Sequence, residues 1–345
     1  MCHMAAWENQ EFGIHDKQFP PIECLIGYGS GVFRQHGYSE KQRPMVDVIF
    51  VVRDADLEQW HRENIKMNRF HYAPLMRAAG APVVSMVQRT GPGLYYNPGV
   101  EVTMSDSKRI YAKYGVITEQ ALLHDLNTWS HFYAAGRLQK PCLLRYPSAS
   151  NELRQQISDA LRVNRRAALC AALLMCSWNA TPESPIGVLP LLSAIVQLSY
   201  TGDVRMGVAE DPAKVSNIVK GQSDALWQIY QHVADDMGLQ LQDTNHKDHG
   251  ATGGPSLDNL AVLVNPARRR ELFDELPASF RVRCQQCLGS RGYPWESNRA
   301  VEQTLSGIVR RASAQQTLKG VLTAGPLGSV AYSARKMCKR WKIPV

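Results

Sequence analysis

The sequence predicts an α+β protein built from more than one unit. Two short β-branched runs, residues 22–28 and 45–52, lie near the amino end, and long helical stretches follow residue 150. The length, 345 residues, is about twice a one-domain prior of roughly 150. Hydrophobic residues at 44% and charged residues at 20% are ordinary globular values, which argues against a disordered, collagenous or coiled-coil chain.

Each element has a local reason. Residues 22–28 (IECLIGY) are an apolar run ending in GYGSG, a strand that runs into a glycine turn. Residues 45–52 (MVDVIFVV) read as a strand buried on both faces, interrupted only by Asp47, and a buried carboxylate needs a partner or a task. Residues 55–78 read as helix with a break near Pro74. Residues 82–88 (PVVSMVQ) and 115–118 (GVIT) read as strands flanking a Gly/Pro/Asn-rich hairpin region, and 119–135 as a helix. A second unit opens near Ser150 with a long helix over 152–178 and a buried element over 189–198. Residues 242–257 are polar, with Gly253, Gly254 and Pro255, and read as a flexible insertion. The predicted division is 1–148, 149–298 with that insertion, and 299–345.

The net charge of +8 is concentrated in the last segment, where residues 299–345 hold nine Lys/Arg against Glu302 alone. Val330, Ala334, Met337, Cys338 and Trp341 fall on one helical face, with Arg335, Lys336, Lys339, Arg340 and Lys342 mostly elsewhere, which predicts a basic amphipathic helix suited to an anionic membrane surface. A nucleic-acid partner is not expected, because the tail has only Tyr332 and Trp341 as aromatics and no recognition motif. The longest charge-free stretch contains Pro185 and Pro190, so no transmembrane helix is expected, and no targeting segment is readable at the amino end. Eight scattered cysteines suit a reducing compartment, and the single C-x-x-C of Cys284 and Cys287 lacks the second pair a zinc site requires.

The strongest chemical signal is Gly27, Gly29, Ser30 and Gly31 followed by Asp47 at the head of a strand. Exposed N–H groups of such a turn bind phosphate oxygens, and an acid beside it can hold Mg²⁺, so together they describe a nucleoside triphosphate site. A dinucleotide fingerprint fits less well, since it needs G-x-G-x-x-G and an acid at the far end of the next strand. A tight turn without ligand is the simplest alternative.

GYGSGVF at 27–33, VDVIFVV at 46–52, WHRENIKMNRFHY at 60–72, KYGVIT at 113–118 and GRLQKP at 136–141 resemble the mitochondrial CDP-diacylglycerol synthases, also called mitochondrial translocator assembly and maintenance proteins. The likeness continues through LSYTGDVRMGVAEDPAKVSNIV at 198–219 and QTLKGVLTAG at 316–325, leaving out roughly 242–297. The resemblance implies a nucleotidyltransferase-fold domain, a mainly helical winged-helix-like domain and a membrane-associating carboxyl-terminal region. It also implies that CTP and phosphatidic acid give CDP-diacylglycerol and pyrophosphate with Mg²⁺ at the matrix face of the inner mitochondrial membrane, for cardiolipin synthesis. On that basis Asp47 is expected to hold the metal and Lys113 to act with it on the triphosphate. Gly29, Ser30, Gly31, Tyr114, His61 and Asn64 are expected around the nucleotide, and Arg137 and Lys140 around phosphatidate. One departure is Ile49, where the wider nucleotidyltransferase superfamily has a second acid, with Asp54, Asp56 or substrate phosphates as replacements. That departure favours the alternative of a non-catalytic, membrane-associated assembly factor with the same fold.

Overall fold

The computed structural model describes residues 13–33, 35–36, 44–176, 185–206, 211–243, 257–263, 268–290 and 292–340, with side chains except at 298 and 324–340. A five-stranded mixed sheet is flanked by helices, in the order β3-β4-β2-β1-β5. Its strands are β1 (Cys24–Tyr28), β2 (Val46–Val52), β3 (Tyr95–Thr103), β4 (Arg109–Thr118) and β5 (Cys142–Arg145). β2 and β4 are parallel and every other pairing is antiparallel.

Strand alternation divides the β2 side chains between two cores. Val48, Phe50 and Val52 point to one face, under α1 (Leu57–Met67), where Leu57 and Trp60 cover them. Ile49 and Val51 point to the other face. That second core takes in α3 (Glu119–Thr128), the short α4 (Ala135–Leu138), α5 (Asn151–Cys176), α6 (Val188–Leu198) and α7 (Lys214–Asp236). A small antiparallel sheet of β6 (Ile186–Gly187), β8 (Leu260–Leu263) and β7 (Gln240–Asp243) adjoins these helices. The chain closes with α8 (Arg269–Asp274), α9 (Ala278–Leu288) and the long α10 (Asn298–Arg340).

The structure departs from the sequence reading in five places. Residues 82–88 are helical, not a strand, and belong to α2 (Pro74–Arg89). Gly80 at φ 81° breaks that helix and Pro82 opens its second half, where a missing N–H costs nothing. β3 is a strand despite its Asn-Pro-Gly, because a register shift between Asn97 and Val100 absorbs the interruption. The helix expected over 119–135 stops at Trp129, in the left-handed region at φ 53°. Gln242 and Asp243 are paired in β7, and residues 244–256 of the expected insertion lie outside the described residues. The segment from 299 onward begins as core, since Ala300, Val301, Leu305, Ile308, Val309 and Ala312 are buried. Arg335, Lys336, Lys339 and Arg340 lie in α10 with side chains outside the described set, and Trp341 lies beyond it.

Candidate active site

Three paired strands put one row of side chains on the helix-covered face of the sheet. Tyr28 of β1 lies opposite Asp47 of β2, and Asp47 lies opposite Lys113 of β4. Asp47 is half-buried at the strand's mouth, with 26% of its side chain exposed, so the deep burial expected for it is corrected. Its Oδ1 stands 3.9 Å from Lys113 Nζ, a loose pair that leaves the carboxylate available. Lys113 Nζ sits 4.1 Å from the centre of the Tyr96 ring, and the Tyr96 hydroxyl is 3.2 Å from that of Tyr28. Burial pulls the Lys113 ammonium below its ordinary range, while the Asp47 charge acts to restore it.

The glycine turn closes over this row. Gly29 adopts φ 76°, and a Cβ there would lie 3.2 Å from Asp47 Oδ2. A Cβ at Gly31 would run into the Met45 carbonyl oxygen, so both positions require glycine for close approach to the head of β2. Ser30 lies half-buried between them. The Phe33 N–H donates to Gly29 O at 2.8 Å, and α7 holds the turn from outside through Gln222 Nε2 to Phe33 O and Lys214 Nζ to Gln35 Oε1, each at 3.1 Å.

Cations form the facing wall. The Arg137 guanidinium stacks 3.6 Å from the centre of the Tyr133 ring and donates to the Tyr133 carbonyl at 2.6 Å. Arg205 is held by the buried Asp203 through Nε to Oδ1 at 2.9 Å and Nη2 to Oδ2 at 2.5 Å. Burial alone would raise the Tyr133 phenol, yet the charges of Arg137, Arg205 and Lys113 hold it below its ordinary range. A recess of about 10 Å³ separates these groups from Val309, Ala312 and Ser313 of α10. Lys140 is half-buried beside them, donating to Gly136 O at 2.5 Å and Ser199 Oγ at 2.7 Å, and desolvation pushes its ammonium well down.

The loop carrying Tyr133 and Arg137 is strained and pinned. Trp129 and Phe132 have φ of 53° and 51°, a region costly to residues with side chains. Asp125, 3% exposed, gathers five backbone N–H groups. Oδ1 accepts from His131 and Phe132 at 2.9 Å, and Oδ2 from Tyr133, Ala134 and Ala135 at 2.9, 2.8 and 3.1 Å. Asn164 of α5 adds a second pin by accepting from Trp129 Nε1 and donating to Ala135 O.

Of the residues expected around the nucleotide, the structure brings together Gly29, Ser30 and Gly31 with Asp47, Lys113 and Arg137. It does not bring Tyr114, His61 and Asn64 there. Tyr114 follows Lys113 on β4 and therefore faces the opposite core, where Asn64 Nδ2 donates to its hydroxyl at 2.9 Å. His61 is fully buried between the Tyr72 hydroxyl, 2.8 Å from Nδ1, and Gln88 Oε1, 2.7 Å from Nε2. Because Gln88 Oε1 only accepts, Nε2 carries the proton, and burial drops the His61 pKa to about 4. Arg205, Asp125 and Tyr133 are not among the site residues expected from the sequence. The Asp-x-Arg spacing was a usable signal for Arg205, whereas Asp125 has none short of the fold.

Comparison with known proteins shows the family of the chain. The family model for mitochondrial phosphatidate cytidylyltransferase matches residues 14–339. The protein of that name from Rattus norvegicus is 34% identical over 340 residues, covering 93% of this chain and 91% of its own. The Danio rerio protein is 32% identical over 332 residues, with 94% and 93% covered, and the Schizosaccharomyces pombe protein 31% over 337, with 92% and 80% covered. Among the described residues no helix is long and apolar enough to cross a membrane. With the glycine turn, Asp47, Lys113 and the cationic wall all inside the matched span, the chain belongs to the mitochondrial phosphatidate cytidylyltransferase family.

Proposed function

We propose that the chain transfers the cytidylyl group of CTP to phosphatidic acid, giving CDP-diacylglycerol and pyrophosphate, in keeping with relatives named phosphatidate cytidylyltransferase. The observation that carries the reading is the half-exposed Asp47 beside Lys113 under a glycine turn, with Arg137 and Arg205 lining one recess with Tyr133. A phosphate oxygen of phosphatidate attacks the α-phosphorus, and the bond to the pyrophosphate leaving group breaks in line. Phosphatidate is ionised at neutral pH, so no strong base is required and charge neutralisation dominates. The turn's N–H groups and Lys113 hold the triphosphate, Arg137 and Arg205 take the charge that shifts onto the leaving oxygens, and Tyr133 donates from its hydroxyl. Lys140 is tied to Gly136 O and to Ser199 at the end of α6.

The residues present fit Mg²⁺ with a single protein ligand. Asp47 keeps an available carboxylate, and Mg²⁺ is commonly held by one or two carboxylates plus substrate phosphates and water. Ile49 is fully buried in the core, and Asp54 lies beyond the other end of β2, bound by Arg89 at 2.8 Å, so neither it nor the nearby Asp56 replaces a second acid. Among the described residues no group of three or more His, Cys, Asp or Glu forms a metal cage. When bound, Mg²⁺ supplies charge neutralisation on the phosphates.

In this reading the sheet with α1–α4 is the nucleotidyltransferase unit, and α5–α7 with β6–β8 the winged-helix-like one. The basic end of α10 rests on the matrix face of the inner mitochondrial membrane, and the product serves cardiolipin synthesis. The test is formation of pyrophosphate and CDP-diacylglycerol from CTP and phosphatidate vesicles with Mg²⁺, using ATP, GTP and UTP as controls. Turnover confined to CTP is expected; none from folded protein supplied with lipid would shift the reading to a binding factor.

A further inference from the structure

Between Glu63 and Glu101 the chain has no acidic residue, and Lys66, Arg69, Arg77 and Arg89 fall inside that stretch. It folds into the end of α1, a 3-10 turn at Arg69–His71, α2 and the start of β3. Its outer side is apolar: Phe70 is 90% exposed, Leu75 63%, Met86 62% and Met67 53%. Ala78, Ala79 and Pro82 between them are exposed as well. The Arg77 guanidinium lies 6.0 Å from the Phe70 ring centre and its Nη1 is 3.4 Å from the Arg69 carbonyl, so cations and exposed ring share one prominence. The inner side of α2 is already occupied, with Met76 and Val84 buried against Tyr72 and Tyr95.

This surface joins the helix that carries the basic end of the chain. Lys319 of α10 is buried at the carboxyl end of α2, donating to the Gln88, Thr90 and Leu94 carbonyls at 3.1, 2.7 and 3.0 Å. Leu318 beside it is 74% exposed and Leu322 45%. Exposed aromatic and aliphatic side chains ringed by Lys and Arg match the boundary between phosphate headgroups and acyl chains. A second copy of the chain matches poorly, because it would bring the same acid-free run of Lys66, Arg69, Arg77 and Arg89 to the contact.

We propose that the 3-10 turn and the outer face of α2 form a lipid-docking surface of their own, distinct from the end of α10, that takes an anionic bilayer. Phe70 and Leu75 enter the acyl boundary, and Lys66, Arg69 and Arg77 meet lipid phosphates. The inference rests on the reading above that the substrate is a lipid, since such an enzyme gains from two contacts that fix its orientation on the bilayer.

The experiment is flotation of the full chain with vesicles of phosphatidylcholine alone or mixed with phosphatidylglycerol. It compares wild type, Phe70→Ser with Leu75→Ser, and Lys66→Glu with Arg69→Glu, with mass followed by light scattering. The apolar pair should weaken partition onto anionic vesicles roughly tenfold or more. The charge pair should weaken it by about fivefold per cation, an effect that fades in high salt. Turnover of a short-chain, monomeric phosphatidate should stay at the wild-type rate in both. Partition indistinguishable from wild type in both variants would overturn the proposal, as would a fall in molecular mass with partition unchanged, which makes the face a contact between copies. The two readings separate cleanly: absent wild-type turnover with altered flotation removes the catalytic reading and keeps the docking surface, and the reverse result removes only the surface.

Discussion

Asp125→Asn tests whether the strained loop 129–135 sets the cationic wall. The asparagine keeps the size of the carboxylate but retains one acceptor oxygen, and its NH₂ faces donors. If that oxygen keeps the two N–H groups now on Oδ1, those of Tyr133, Ala134 and Ala135 lose their acceptor. An unpaired buried N–H costs about 1–3 kcal/mol, less than additively on one side chain, which sets the expected loss near 4 kcal/mol. Nothing then offsets the positive φ of Trp129 and Phe132, so the loop relaxes and carries Tyr133 and Arg137 out of register. At roughly 2–4 °C per kcal/mol the midpoint should fall by about 10 °C. A displacement of about 1 Å at the wall should cost roughly 100-fold in kcat/KM for CTP. Steady-state kinetics below the lowered midpoint, with Arg137→Gln and the double variant, measure it. If Asp125 acts through Arg137, the double variant is no slower than Arg137→Gln alone. Wild-type kinetics in Asp125→Asn, or fully multiplicative losses in the double variant, would refute the reasoning.

Other perturbations follow from the same geometry. Asp47→Ala should abolish Mg²⁺-dependent turnover while leaving the thermal midpoint near wild type, because its pairing with Lys113 is loose at 3.9 Å; normal turnover removes Asp47 from the site. Lys113→Met should lower turnover by orders of magnitude with stability unchanged or raised, since the half-buried ammonium is held below its ordinary pKa; a simple fall in the unfolding midpoint with normal kcat/KM would count against it. His61→Gln should leave the KM for CTP unchanged. Because the folded pKa of His61 is about 4 against an ordinary 6.5, its contribution to stability is complete above 6.5 and lost as pH falls toward 4, so the variant should flatten that limb of an acid titration. Burial lowers Lys319 to about 8 from 10.5, so the unfolded chain binds the proton more tightly between those values and stability should rise with pH there by about 3 kcal/mol at most; Lys319→Met should remove that rise in urea unfolding.

Much of the site's frame was legible because it depends on local chemistry. The apolar run into GYGSG and the run around Asp47 marked β1, its turn and β2, and the glycines proved necessary, Gly29 for its left-handed φ and Gly31 because a Cβ would strike the Met45 carbonyl. The error over Tyr114 was avoidable: neighbours on one strand face opposite ways, so Lys113 and Tyr114 were never candidates for one pocket. His61 and Asn64 followed Tyr114 to the wrong face, since their polar character serves a sealed layer under α1. Residues 82–88 were misread because β-branched content outweighed Gly80 and Pro82, which together restart a helix. Arg205 carried a local signal in its pairing with Asp203 two residues earlier, whereas Asp125 was beyond local signals, since the N–H groups it gathers lie on a loop six to ten residues on that only the assembled fold brings to it.

The core behind the site also has a consequence for how the chain becomes active. It draws on Cys24 and Ile26 near one end and on Val309 and Ala312 near the other. Contacts that distant in sequence form late, because the intervening loop must close before they contribute. A chain synthesised only as far as α9 can pair Tyr28, Asp47 and Lys113 but lacks the wall that α10 brings to the recess. Until that helix arrives the apolar surface it covers stays open to other chains, so the interval between synthesis of β5 and docking of α10 is when aggregation competes most strongly with folding.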